Sequence, residues 1–428
     1  MIEVNVSELL HKPQQYNDIY NKQHKIINNI NYKGVVLNNL NKLLNSKLIL
    51  LLITTLTAFT SFSRFSRCVT VKWMAPQSYE LGCYTDYVPL FWVHNFADHV
   101  FPYAHANASL EYPPLITLTA YLTALFSPSN ATNPLSFFYI TCALMVVSYF
   151  VITLVVSKLN KQSIYLFLLA PACIFSIFIN WDLIALLPLV LSILYFQKSE
   201  SVKSGLLLSL ATSAKFIPVF LLLPANIKYF REKDWVGFRK FNTSFVVSWL
   251  VVNVPLLIMY PQGFMYFYKF NLKRLSDLGS YWLAFDHFFS SKSTYVSIFV
   301  SILILASTLL LLLKNYNDID LQSYSLLIVG TVMVTSKVYS PQYTLWLTLL
   351  AVIHPQIKKN ILPFISWQAG ELIYNLVVWP HLITMAGGSG VSDNVYYGAI
   401  LLRISLFIYF IYSLYVGNKS VKKNEILS

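Results

Sequence analysis

Long apolar runs separated by short polar joints set the pattern of this chain. The first run spans Leu43–Phe62. Others follow at Pro113–Phe126, Leu135–Val156, Ile164–Ile179, Leu183–Phe196, Gly205–Pro224, Phe245–Tyr260, Tyr295–Leu313, Leu321–Thr335, Tyr343–Ile353, Ile361–Trp379 and Tyr396–Val416. Runs of this kind predict membrane-spanning helices, because a helix satisfies its own backbone N–H and C=O groups where water is missing. No soluble domain interrupts the runs, and no repeat of fixed period is visible. The expected fold is all-α, a polytopic transmembrane helical bundle.

Two stretches depart from one run per span. Ile164 to Phe196 is too long for one crossing and too short for two with a loop. Asn180-Trp181-Asp182 sits in its middle, so two short helices with a polar tip are expected. Gly205–Pro224 carries Lys215 at its centre. A lone lysine in hydrocarbon costs roughly 3 kcal/mol or more unless it is paired or wet. The run is read as a broken or re-entrant pair with Lys215 near the break.

Composition narrows the class. The chain has 428 residues, 56% hydrophobic and 11% charged, with a mean hydropathy of +0.56. Soluble domains carry about 25% charged residues, which argues against a water-soluble enzyme, and the hydrophobicity excludes disorder. The net charge of +13 then reads as an orientation signal rather than nucleic-acid binding. A polar arm at residues 1–42 precedes the membrane domain at 43–416, and a tail at 417–428 follows it. The arm shows no early apolar core with a cleavage site, so no cleaved signal peptide is expected. With the arm cytoplasmic, Pro113–Phe126 lying along the membrane and Gly205–Pro224 returning to its own side, most basic residues fall inside. The outside keeps Arg64, Arg67, Lys72, Lys215, Lys269, Lys273, Arg274, Lys292 and Lys337. Reading Gly205–Pro224 as one full crossing would nearly equalise the two sides, so the positive-inside rule prefers the first arrangement. The tail is then cytoplasmic.

Candidate chemistry gathers on the outer face. There the carboxylates Glu80, Asp86, Asp98, Glu111, Asp182, Asp277, Asp286 and Asp393 mix with aromatics and histidines. The first external loop, residues 63–134, reads Cys83-Tyr-Thr-Asp86, then Phe101-Pro-Tyr103, then Leu110-Glu111-Tyr112-Pro113-Pro114. Further on come Asn180-Trp181-Asp182-Leu183, Ala214-Lys215-Phe216-Ile217-Pro218, and Ser336-Lys337-Val-Tyr-Ser340-Pro341-Gln342-Tyr343. Each motif is short, and their order and spacing carry the signal. In that order the chain resembles the GT-C superfamily of glycosyltransferases, in particular its polyprenol-phosphate-mannose-dependent α-mannosyltransferases. It is more distantly similar to the mannosyltransferase that adds the first mannose of GPI anchors. The likeness covers roughly Leu48 to Leu350. The N-terminal arm and the last two spans add nothing to it.

The resemblance implies a GT-C-type bundle whose first external loop carries juxtamembrane helices. It implies transfer of one hexose, mannose foremost, from a polyprenyl-phosphate sugar donor to a lipid or glycan acceptor. The reaction would sit on the extracytoplasmic face of the plasma membrane or endoplasmic reticulum, among membrane lipids, and proceed by inverting single displacement. Asp86 matches the family's first-loop aspartate and is the expected general base. Lys215 and Lys337, with Lys273 and Arg274 behind them, are the expected cations for the donor phosphate. Glu111, Tyr112, Asn180, Asp182, Gln342 and Tyr343 are the expected substrate contacts. The lipid phosphate leaves unprotonated, so no second acid is needed and no cofactor is implied. Related oligosaccharyl transferases hold a divalent metal with acidic motifs that Asp182 beside Trp181 does not reproduce, so no metal is expected. His94, His99 and His105 are not four apart, as a helical zinc face requires.

Plainer readings stand beside these. Asp86 and Asp182 are also candidates for helix N-caps, and Glu111 for a favourable charge at a helix start. Lys215 is a candidate partner for Asp182. Gln368 and Glu371 either bond neighbouring helices or line a cavity. Trp181, Tyr112 and Trp282 are candidates to stack on a sugar. Cys142 and Cys173 read as core. Cys68 and Cys83 share the first external loop, and the sequence leaves a disulfide between them open. Asn107 and Asn130 begin glycosylation sequons. A transporter or lipid-linked-sugar flippase and a surface-polysaccharide polymerase or ligase are the alternative functions. The first would show paired broken helices in both halves, the second a late Arg-rich external loop.

Overall fold

The computed structural model describes residues 47–104, 109–129, 133–289, 294–314 and 321–427. The polar arm, His105, Asn107, Asn130 and Lys292 lie outside the described residues. The chain divides into two compact units, Met1–Ile53 and Thr54–Ser428. Of the first, only Lys47–Ile53 is described, the opening of a helix; all that follows concerns the second.

Every regular element among the described residues is helical. Helices α1 (Lys47–Ser66), α2 (Gln77–Glu80), α3 (Tyr87–Val93), α4 (Pro114–Ala124) and α5 (Leu135–Leu159) come first. Next are α6 (Ile164–Leu168), α7 (Pro171–Ser176), α8 (Asp182–Gln197), α9 (Ser201–Ala214), α10 (Leu222–Glu232) and α11 (Trp235–Met259). Then come α12 (Pro261–Lys273), α13 (Tyr281–Phe289), α14 (Thr294–Lys314), α15 (Leu321–Thr335), α16 (Tyr343–Ile353), α17 (Ile361–Met385) and α18 (Asp393–Leu427). Among the described residues, five stretches are long and apolar enough to cross a membrane: Lys47–Val69, Leu135–Leu159, Trp235–Met259, Ile357–Met385 and Asp393–Leu414. A 25-residue helix such as α5 is about 37 Å long, against a hydrocarbon core of about 30 Å. The chain is thus an α-helical protein with the hallmarks of a membrane protein.

The two unusual stretches are both broken. Ile164–Ile179 forms two short helices rather than one, because Pro171 opens α7 with Ala170 extended before it. Asn180 and Trp181 make the turn, and α8 starts at Asp182. Further on, α9 ends at Ala214 and Lys215 is extended, at φ −146° and ψ 137°. Pro218 lies in the 3-10 turn Ile217–Leu221 that follows.

Helix α9 is packed between α8 and α11 through small residues, which let backbones approach closely. A Cβ on Gly205 would meet the Phe241 carbonyl oxygen at 2.2 Å. Ser192 and Ser204 exchange hydroxyl-to-carbonyl bonds of 2.8 and 2.9 Å across α8 and α9. Asn253 on α11 donates to Ser213 Oγ at 2.9 Å. Helix α11 begins ten residues before the apolar run Phe245–Tyr260. The Asp234 carboxylate caps it by accepting from the Gly237 N–H at 2.8 Å, so the turns carrying Arg239 and Lys240 are helical too.

Candidate functional site

The loop of residues 63–134 is fastened to the tip between α7 and α8. The Asp86 N–H donates to the Ile179 carbonyl at 2.7 Å, and the Thr85 hydroxyl to that of Phe178 at 2.8 Å. The Tyr87 hydroxyl donates to the Asn180 carbonyl at 2.9 Å, and its ring lies 4.8 Å from that of Trp181. Cys68 and Cys83 are joined in a disulfide, with Cα atoms 5.9 Å apart, three residues before Asp86. Loop and tip therefore hold Asp86 and Asn180 side by side.

Asp86 stands at the N-cap position of α3, but its side chain makes no capping bond. It faces a cavity of about 410 Å³, within the usual range for a small-molecule site. The Tyr112 hydroxyl lies 3.4 Å from Asp86 Oδ2, and Tyr84 and Asn180 hydrogen-bond to the same carboxylate. Burial raises the Asp86 carboxyl above the ordinary aspartate range; the bonds from Tyr84 and Asn180 and the charge of Lys215 pull it part of the way back. Glu111 is raised as well, first by burial and then by the Asp86 charge. Its Oε2 lies 4.0 Å from His94 Nε2.

The cations are placed unequally. Lys215 lines the cavity and forms a buried ion pair with Asp182, lying over the Tyr112 and Tyr343 rings at 5.7 and 5.1 Å. Arg274 also lines it and is held by Asp277, Nη2 to Oδ2, at 2.5 Å. Lys337 caps the end of α12: its Nζ donates to the Arg274, Leu272 and Asn271 carbonyls at 2.7, 3.3 and 3.4 Å. Burial and the Arg274 charge lower its pKa. Lys273 is exposed and does not line the cavity.

Glu111, Tyr112, Asn180, Gln342 and Tyr343 all line the cavity. Asp182 lies behind it, 1% exposed; its Oδ1 accepts from Trp346 Nε1 at 2.8 Å. Of the aromatics considered for sugar stacking, Tyr112 is on the wall. Trp181 is fully buried, and Trp282 bonds the Thr335 carbonyl at 2.8 Å beside a separate apolar groove. His99 Nε2 lies 2.8 Å from the Ser127 carbonyl. Among the described residues, no group of three or more His, Cys, Asp or Glu side chains is arranged to hold a metal.

The segment Ser340–Tyr343 is held by the last two helices. Glu371 on α17 accepts from the Tyr339 hydroxyl at 3.1 Å, Thr344 Oγ1 at 2.9 Å and Trp367 Nε1 at 3.0 Å. Arg403 on α18 donates to the Tyr339 carbonyl at 2.6 Å, between the rings of Tyr339 and Tyr374 at 3.7 and 3.8 Å. Arg403 Nη1 lies 3.7 Å from Glu371, both side chains fully buried. Gln368 donates to Thr348 Oγ1 at 3.0 Å. These spans lie outside the motif likeness, yet they position a wall of the cavity.

Other wall residues carried no signal in the sequence: Tyr79, Trp379, Phe267 and Asn271. Tyr84, inside the Cys83–Asp86 motif, was legible only as its filler.

The main cavity adjoins a second, of about 200 Å³, through Ile217, Asn271, Arg274 and Tyr343. That one shares Val332, Ser336 and Lys337 with an open groove of about 280 Å³ lined by Phe220, Ile302 and Leu305. Compared with known proteins, the chain matches no family model, and no curated protein matches it significantly.

Proposed function

We propose that the chain is a membrane glycosyltransferase that moves one hexose, mannose foremost, from a polyprenyl-phosphate donor to an acceptor hydroxyl on the extracytoplasmic face. One observation carries the reading: Asp86, a carboxylate with no salt-bridge partner among the described residues, shares a cavity with Lys215 and Arg274. The adjoining cavity and groove support it, because they lead from the polar chamber past Lys337 to apolar side chains, as a phosphate with an isoprenoid tail requires. The Cys68–Cys83 disulfide favours an oxidising compartment for the loop.

The chemistry follows from charge placement. The acceptor oxygen attacks the anomeric carbon from the face opposite the phosphate. A new C–O bond forms while the bond to the phosphate oxygen breaks, and that bond's electron pair leaves with the lipid phosphate. The acceptor proton passes to Asp86. Lys215 and Arg274, each already balanced by an aspartate, oppose the charge growing on the leaving phosphate without making the empty chamber strongly cationic.

The test is Asp86→Asn in a transfer assay with a lipid-linked donor. Loss of a general base lowers the rate about 10²- to 10⁴-fold. Undiminished transfer would remove Asp86 from this role.

A further inference from the structure

The wall next to Asp86 is aromatic. Tyr79 on α2, Tyr84 in the loop and Trp379 on α17 all line the main cavity and pack on one another. The Tyr79 and Tyr84 centroids are 5.5 Å apart, as are those of Tyr84 and Trp379; Tyr79 and Trp379 are 6.4 Å apart and within 15° of parallel. The Tyr84 hydroxyl hydrogen-bonds to Asp86, so the wall abuts the carboxylate. Glu111 and Asn180 line the same chamber and offer further hydrogen-bonding groups.

The cationic side of the chamber is elsewhere. The adjoining cavity shares Ile217, Asn271, Arg274 and Tyr343 with the main one, but none of the three rings and not Asp86. The chamber thus has a phosphate side, continuous with the apolar groove, and an aromatic and carboxylate side that is not part of that route.

We infer that the wall of Tyr79, Tyr84 and Trp379 is the acceptor subsite, and that the group it receives is a pyranose ring, so the acceptor is a glycan or glycolipid. A pyranose has a flat C–H face and a rim of hydroxyls. Aromatic rings cover the first, and carboxylates and amides bond the second. A serine side chain or a glycerol headgroup has no face to lay on three rings. An acyl chain has no use for the carboxylates. In naming an acceptor this rests on the transferase reading; as a sugar-binding site it can be tested without any transfer.

The experiment uses the purified full chain in nanodiscs and no donor. Saturation-transfer NMR is recorded with methyl α-mannopyranoside, methyl α-glucopyranoside and, as an open-chain polyol, glycerol. The expected result is saturation of the C–H protons of one pyranoside face and none for glycerol. Tyr79→Ala and Trp379→Leu should each weaken pyranoside binding about tenfold, while Tyr79→Phe and Trp379→Phe stay near wild type. Tyr79 is half-buried on a four-residue helix, so its variants test the wall should Trp379→Leu misfold. Equal signals for glycerol and the pyranosides, or full binding by Tyr79→Ala, would overturn the inference. Pyranoside binding with no transfer from any lipid-linked donor would refute the transferase reading alone. Transfer with an acceptor KM unmoved by Tyr79→Ala would refute the aromatic subsite alone.

Discussion

Replacing Lys215 by methionine isolates the central ion pair. Asp182 is 1% and Lys215 8% exposed, so neither charge is well solvated. Without the ammonium, Asp182 Oδ1 keeps the Trp346 N–H at 2.8 Å, and Oδ2 has no hydrogen-bond partner among the described residues. Removing one member of such a pair costs about 3–5 kcal/mol, because the remaining charge stays buried. That lowers the folding equilibrium constant roughly 10²- to 10⁴-fold. In Asp182→Asn with Lys215→Met no buried charge remains, and the asparagine oxygen still accepts from Trp346. The double variant should therefore recover to within about 1 kcal/mol of wild type. The assay is reversible unfolding in mixed micelles, titrated with denaturing detergent and followed by tryptophan fluorescence, on wild type, both single variants and the double. A loss below about 1 kcal/mol in Lys215→Met, or strictly additive losses, would refute the claim that this pair holds the α8 start against the break after α9.

Three further outcomes follow from the same geometry. Arg403→Met should cost about 3–5 kcal/mol in the same assay, and Arg403→Lys should not restore it, since only a planar guanidinium fills the slot between Tyr339 and Tyr374; full recovery by lysine would refute this. Serine at both Cys68 and Cys83 should cost about 3 kcal/mol for a loop of 15 residues, and non-reducing peptide mapping of the wild type should recover the two linked; free thiols at both would contradict it. The acid limb of transfer should lie above the ordinary aspartate value of about 3.9, because burial raises Asp86, which must be ionised to act as a base. The stability linkage has the opposite sign: the contribution of Asp86 is full below its unfolded pKa and is lost as pH rises through its raised folded pKa. Over that window activity rises while the stability of wild type falls relative to Asp86→Asn; an acid limb at or below about 4 would refute the assignment.

What could be read from the sequence was whatever local physics dictates. A lysine inside an apolar run marks a break, and α9 ends one residue before Lys215. Asn180-Trp181-Asp182 interrupts a run too long for one helix, and α8 starts there. Asp86 was legible as a carboxylate in a polar loop, and it does face the cavity. What stayed hidden depends on partners far apart in the chain. Asp182 meets Trp346 across 164 positions, so its carboxylate lies behind the cavity rather than on it. Lys337 meets the end of α12 across 63 positions, which makes it a helix cap as well as a cation beside the site. Tyr79 and Trp379 are unremarkable in their own segments and form a wall only because α2 packs on α17.

Arg403 lies in α18, so translation reaches it after the loop and helices that carry the cavity wall. Until that helix is in place, Glu371 is a carboxylate without its guanidinium, and the Tyr339 carbonyl lacks its donor. The segment from Ser340 to Tyr343 therefore lacks this support until residue 403 has been made, although it faces a loop translated early. One wall of the chamber thus depends on a residue 64 positions further along the chain. A chain released before residue 403 would retain its motifs and leave Glu371 without that guanidinium.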